Sequence, residues 1–325
     1  MMKSFAKIGL VAAAALALSG AAQAQAYPDR PITMIVPFAA GGPTDIIARI
    51  VGDHMSKTLG KQVVIENVAG AGGTTGITRA LTATPDGYTI AMGHLGTFSA
   101  APATYPNLKY DPLNGMQPIG LAGGTPILVV ARKTLEQADL KSFVAAVKAN
   151  PDKFNEAHAG LGSVSWTTCT LLKGQLGVPK LNAVAYRGTG PALNDLVSGQ
   201  VDFMCDQIVS VAEQIKAGTI RAYAIASAER SPALPDVPTT KEAGLPEYQI
   251  EAWNGIAAPK GTPKEAVDKL VDALNKALND EGTKKRLLDL GAVIPTVEER
   301  TPAGFAAVIK RDADKLSPIL AAAPR

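Results

Sequence analysis

The chain has 325 residues, 46% of them apolar and 5% aromatic, with a formal net charge of +3. So small a charge leaves no electrostatic footprint for nucleic acid or an anionic membrane, and so few aromatics argue against a stacking platform for sugars or bases. The length exceeds what one apolar core ordinarily fills and suits two.

Residues 1–26 read as a secretory signal peptide. Lys3 and Lys7 open it, an apolar run follows over 8–18, and Ala22-Gln23-Ala24 and Ala24-Gln25-Ala26 offer cleavage sites. The run is too short to span a bilayer, and no later one reaches the ~18 apolar residues a span needs. No Cys stands at the cleavage point, which argues against a lipid anchor. The mature chain is expected to be soluble and periplasmic, and removal of both lysines lowers its charge from +3 to +1.

Strand and helix then alternate. The apolar run 32–38 reads as a strand ending in a Gly-Gly-Pro turn. The spacing of Ile47, Ile50, Val51, Met55 and Leu59 predicts a helix over 44–59, stopped by Gly60. A strand over 62–68, a helix over 74–84, the turn Pro85-Asp86-Gly87 and a strand over 88–93 follow. Prolines 102, 106, 112 and 118 mark an irregular stretch. Alternation resumes with strands at 127–131, 155–159, 181–186, 202–205 and 221–227, and helices at 142–149, 165–176, 192–198 and 211–217. Prolines 232, 235, 238 and 246 mark a second irregular stretch. A strand over 251–258 and helices over Lys264–Asn279, 282–290 and 302–322 close the chain.

Repeated βα units imply an α/β protein with mostly parallel sheets and helices on both faces. The two irregular joints imply that the chain leaves one lobe and later returns. Domain one is expected at 27–124 plus 251–325, and domain two at 125–250. Two crossings make a hinge, and a hinge between lobes makes a cleft.

Open α/β sheets bind ligands beyond the carboxyl ends of their strands. Three glycine-bearing loops there each follow a strand and open a helix: 37–45, 158–163 and 186–191. Unpaired N–H groups at a helix start, with the helix dipole, form an anion site. Thr44, Ser163 and Thr189 add hydroxyls, and Arg187 is the one cation in these loops. If all three face the cleft, a carboxylate is gripped from both lobes, mainly by neutral donors. Asp45 either stabilises its helix dipole or touches the ligand. Asp206 either faces the cleft or caps the next turn. Trp166 is either core or a wall against an apolar part of the ligand.

Cys169 and Cys205 are the two cysteines. In an oxidising compartment an isolated pair tends to be bridged, the alternative being two separate buried thiols. Enzyme signatures are missing: there is no Gly-x-Ser-x-Gly elbow and no Gly-Lys-Ser/Thr phosphate loop. Residues 70–76 miss the dinucleotide pattern, since Thr75 holds the third glycine position. His54, His94 and His158 have no zinc spacing, so neither metal nor cofactor is expected.

Many segments resemble the substrate-binding proteins of tripartite tricarboxylate transporters, the Bug family. They are 27–32, 37–49, 70–76, 85–88, 110–112, 118–119, 160–163, 186–202, 235–239 and Trp253-Asn254-Gly255. Together they cover essentially the whole mature chain. The resemblance implies a type II periplasmic-binding fold: two α/β lobes joined by two crossing segments, closing on a small carboxylate, often a dicarboxylate or an aromatic acid. It carries the clamp onto Phe38, Ala40, Gly41, Thr44, Asp45, Gly162 and Ser163, partly through ordered waters. Arg187, Gly188 and Thr189 stand at its third cleft loop. Gly96 and Thr97 match a Gly-Thr pair that gives a further contact. Trp166 stands where the family often has His, which puts the specificity for the distal group in doubt. The resulting expectation is a monomeric, non-catalytic transport receptor that docks on a membrane permease. A sensor feeding a two-component system is the alternative.

Overall fold

The computed structural model describes residues 27–322 except 179. The signal-peptide reading therefore lies outside the described residues. Strand β1 (Ile32–Val36) lies between β2 (Val63–Asn67) and β3 (Thr89–His94), parallel to both. On the opposite flank β5 (Asn155–His158) lies between β6 (Asn182–Ala185) and β7 (Phe203–Gln207), again in parallel. Helices α1 (Pro43–Leu59), α2 (Thr74–Leu81), the short α3 (Ala101–Thr104), α4 (Leu140–Ala149), α5 (Val164–Leu176), α6 (Thr189–Ser198) and α7 (Ile208–Lys216) make the connections. Both flanks thus have the architecture that the βα alternation predicts.

The centre is different. Strand β9 (Glu251–Pro259) runs antiparallel to β3 and to β4 (Met116–Arg132). β4 pairs with β9 as far as Pro126, then from Ile127 onward with β7 and β8 (Ile220–Ile225), also antiparallel. The sheet order is β2-β1-β3-β9-β4-β7-β5-β6, with β8 on β4.

The strand expected at 127–131 therefore begins eleven residues earlier, inside the stretch read as irregular. Its prolines and glycines are accommodated at register shifts between Pro118 and Gly120 and between Leu121 and Gly123. Gly120 has a packing reason: a Cβ there would lie 2.4 Å from the Arg300 carbonyl oxygen.

Side chains of β4 alternate between two apolar clusters, one on each sheet face. Leu128 and Val130 join the cluster under α1 and α8 (Lys264–Asn279). Ile127, Val129 and Ala131 join the aromatic one, which contains Phe98, Phe143, Trp253 and Phe305. Helices α9 (Glu281–Asp289) and α10 (Pro302–Ala321) complete the layers. Cys169 on α5 and Cys205 on β7 are joined by a disulfide, both fully buried, with Cα atoms 5.3 Å apart. By the chain-entropy argument such a loop stabilises by up to about 4 kcal/mol. The bridge ties the helix that begins at the 160–163 loop to the strand that ends beside it.

Candidate functional site

The first loop is braced from within. The Asp45 carboxylate accepts the Gly41 N–H at 3.0 Å, Arg49 Nε at 3.0 Å, Arg49 Nη2 at 2.9 Å and Asn67 Nδ2 at 2.9 Å. Asn67 Nδ2 also donates to the Phe38 carbonyl. Burial pushes the Asp45 carboxyl up, but these donors together outweigh burial and hold it below its ordinary range. Gly41 has φ +83°, which only glycine adopts without strain.

The loops of the two flanks touch across the cleft. The Ala39 N–H donates to the Arg187 carbonyl at 3.2 Å, and Tyr105 Oη donates to the Leu161 carbonyl at 2.7 Å. Glycines permit the approach. A Cβ on Gly96 would lie 2.4 Å from the Gly162 carbonyl oxygen, and one on Gly190 would lie 2.7 Å from that of Ala40. The arrangement is a closed one.

Between these contacts lies a narrow, partly open space of about 10 Å³, the room of a single water. Phe38, Gly42, Thr44 and His94 wall it on one side. Ser163, Ser165, Thr189, Asp206 and Gln207 wall it on the other. Four helix starts meet there. α1, α6 and α7 begin at Gly42, Gly188 and Gln207, and in none does the residue before the helix offer a side-chain cap. α5 begins at Ser163, whose Oγ accepts the Trp166 N–H. First-turn amides thus converge on one gap from both flanks.

The polar walls are mostly neutral. Phe38 stacks on His94 with ring centroids 4.8 Å apart. Burial pushes His94 down to about 4, so its ring is neutral at neutral pH. Its Nδ1 accepts the Thr97 N–H at 3.1 Å, which leaves the ring proton on Nε2. Thr44 Oγ1 donates to Asn254 Oδ1 at 2.9 Å. Asn254 Nδ2 and Thr125 Oγ1 both donate to Gln207 Oε1, at 3.1 and 2.7 Å. This buried chain links the first loop, both central strands and the end of β7. The Asp206 carboxyl, fully buried, takes bonds from Ser210 Oγ at 2.8 Å and Thr189 Oγ1 at 3.4 Å.

The expected residues fall into three groups. Phe38, Thr44, Ser163, Thr189 and Asp206 line the narrow space. Gly96, Gly162 and Gly188 provide its close backbone contacts. The remaining six lie elsewhere. The Asp45 carboxylate is turned to Arg49 and Asn67. Thr97 Oγ1 is spent on the His94 backbone at 3.0 and 3.1 Å. Trp166 is buried in the aromatic cluster, while Ser163 stands ahead of the first helical residue in extended backbone. Ala40 lines an outer groove of about 440 Å³ together with Gly41. Arg187 is exposed and contributes its carbonyl rather than its charge.

His94, Ser165, Gln207 and Asn254 were not anticipated. His94 and Gln207 are the last residues of β3 and β7, so the rule that ligands sit beyond strand carboxyl ends pointed at both. Among the described residues no group of three metal-ligating side chains occurs.

The family model of the tripartite tricarboxylate transporter family receptor matches residues 47–316. MatC from Rhodopseudomonas palustris, solved with bound malate, is 46% identical, with a TM-score of 0.88 over 90% of this chain and 100% of that one. The periplasmic binding protein BugD is 44% identical, with a TM-score of 0.87 over 90% and 97% of the two chains. A further R. palustris protein, solved with adipate, is 28% identical, with a TM-score of 0.86 over 92% and 100%. These relatives are substrate-binding receptors, not enzymes.

Proposed function

The chain belongs to the tripartite tricarboxylate transporter receptor family, in its Bug group, and from that premise we propose that it captures a small carboxylate in its cleft. The ligand class we favour is an aliphatic dicarboxylate. The observation that carries this reading is the meeting of uncapped helix starts from both flanks at one gap. Such amides satisfy an anion without the desolvation cost of a buried cation, which suits reversible capture. Neighbours bound to malate and adipate favour the same class.

A space of about 10 Å³ admits no dicarboxylate, so the walls must part for entry and close around the ligand. Residues 27–124 plus 251–325 would form one lobe and 125–250 the other. The pivot would lie where β4 exchanges β9 for β7 after Pro126 and where β9 begins at Glu251, since few ladder bonds cross that line. Phe38, Thr44, Ser163, Thr189 and Gln207 would meet the carboxylate. The receptor would work in the periplasm, where the disulfide persists. It would act as a monomer, because one chain supplies both jaws, and would deliver its load to a membrane permease.

A thermal-shift screen over malate, adipate, citrate, benzoate and the diamide of malate tests this. At a hundredfold excess over Kd a bound acid adds about 2.7 kcal/mol of stability, a shift of several degrees. We expect dicarboxylates to give that shift and the diamide none. Equal shifts with the diamide, or no shift with any acid, contradict the reading.

A further inference from the structure

The carboxyl of Asp206 is the one acidic group in the wall of the narrow space, and it stands among the helix starts assigned above to a ligand carboxylate. Its bonds come from two hydroxyls, Ser210 Oγ at 2.8 Å and Thr189 Oγ1 at 3.4 Å, and from the Gln207 backbone N–H. Hydroxyls serve an ionised or a protonated carboxyl equally, because they donate or accept. No ion pair among the described residues includes Asp206.

The elements packed around β7 supply no compensating cation. β4 sets Leu128 opposite Asp206, and its Arg132 lies at the far end, paired with Asp202. β5 carries His158, which burial pushes down to about 4, and Glu156, which is paired with Lys173 of α5. Asp195 of α6 accepts the Tyr186 hydroxyl. Glu213 of α7 pairs with Lys216 at the surface. Across the cleft, His94 is neutral, and Asp45 is held by Arg49. Asp206 is thus a buried acid without a paired cation in the anion gap, and burial outweighs its bonds from Ser210, Gln207 and Thr189 and pushes it up to about 7.

Resting on the carboxylate reading, we infer that the cleft takes up one proton from solvent with each carboxylate it captures, and that Asp206 holds it. Two ionised carboxyls side by side in so small a buried space repel strongly, so the ligand arrives as an anion and Asp206 becomes an O–H donor to it. The balance is simple. One solvent proton is bound on Oδ, no covalent bond other than O–H forms, and the pair carries one negative charge fewer than its parts. A group whose pKa is raised by binding makes affinity fall as pH rises above its value in the free protein.

Calorimetry with malate at about pH 8, where both its carboxyls are ionised, tests this in two buffers of different ionisation heat. We expect uptake of about one proton per malate, and affinity falling about tenfold per pH unit above neutrality. Asp206→Asn presents an amide N–H in place of the acid O–H. It should bind malate with no proton uptake and an affinity flat with pH. Equal heats in both wild-type buffers overturn the inference without touching the carboxylate reading. Uptake that persists in D206N overturns it as well, by placing the proton elsewhere. If D206N does not fold, the wild-type buffer comparison decides alone. No binding of malate, adipate or citrate overturns the carboxylate reading, and the inference with it.

Discussion

Three helices that begin away from the cleft make their own caps. Asp139 accepts the Ser142 N–H at the start of α4, Asp280 the Thr283 N–H at α9, and Thr301 the Gly304 N–H at α10. Helices α1, α6 and α7 begin at the cleft on Gly42, Gly188 and Gln207 and have no such bond. The division is not complete: α2, α3 and α8, led by Gly73, Ala100 and Pro263, are uncapped outside, and α5 at the cleft is capped by Ser163. A cap is worth about 1 kcal/mol, so three starts forgo comparable stabilisation at one place. Stability given up where amides converge on a gap is the mark of a binding site. The chemistry that finishes α4, α9 and α10 is left open at α1, α6 and α7 for a guest.

The comparison can be broken most forcefully by preventing the two flanks from meeting. Gly96→Ala keeps a conformation that alanine accepts, but its methyl would collide with the Gly162 carbonyl. Overpacking of this kind costs roughly 1–3 kcal/mol, so carboxylate affinity should drop by up to about 100-fold. The Tm of the free protein should fall by less than the affinity loss implies, since there the methyl meets only the His94 ring, 2.8 Å away, and calorimetry with a melting curve checks both.

A cap placed inside sharpens the contrast. Gly42 sits in extended geometry, and its Cβ would have only ordinary contacts, the nearest at 3.6 Å to Thr189. Gly42→Asp should cap α1 and raise stability by a few tenths of a kcal/mol. Its carboxylate would also compete for the gap and weaken binding about tenfold. Removal of an outer cap gives the mirror image. Asp280→Ala should cost about 1 kcal/mol, a Tm loss of about 2–4 °C, with the binding isotherm unchanged.

The smallest effect concerns acid. The Asp45 carboxyl is held low in the folded protein, so its contribution is present above the ordinary carboxylate range and is lost as pH falls through the lowered value. Arg49 is half exposed, and solvent screens the pair. The Tm of wild type should therefore fall only slightly faster than that of D45N between about pH 4 and pH 2. Identical slopes would show that the brace carries no charge-dependent stability.

Much of this was legible in the sequence because it is local. Glycines, a following helix and a preceding strand lie within ten residues of one another, so the three loops could be placed before any contact was known. The resemblance at 37–49 and 160–163 then joined them into one clamp. Pairing across long separations was not legible. Residues 116–126 look irregular until β9, more than a hundred residues later, lies beside them. Gln207 and Asn254 belong to the site only because β7 and β9 come together around β4. The facing of side chains was the other blind spot. Trp166 and Ser163 are three residues apart, a spacing that shares a face inside a helix, yet Ser163 stands before α5 in extended backbone and lines the gap while Trp166 joins the core.

The central claim is that free amides at the cleft helix starts hold the carboxylate, and amide chemical shifts read it directly. Titration of ¹⁵N-labelled protein with the acid that stabilises it most should move the signals of Thr44, Ser165, Thr189 and Ile208. Those of Ser142, Thr283 and Gly304, at the capped outer starts, should stay in place. Saturation with the cleft amides unmoved would contradict the account.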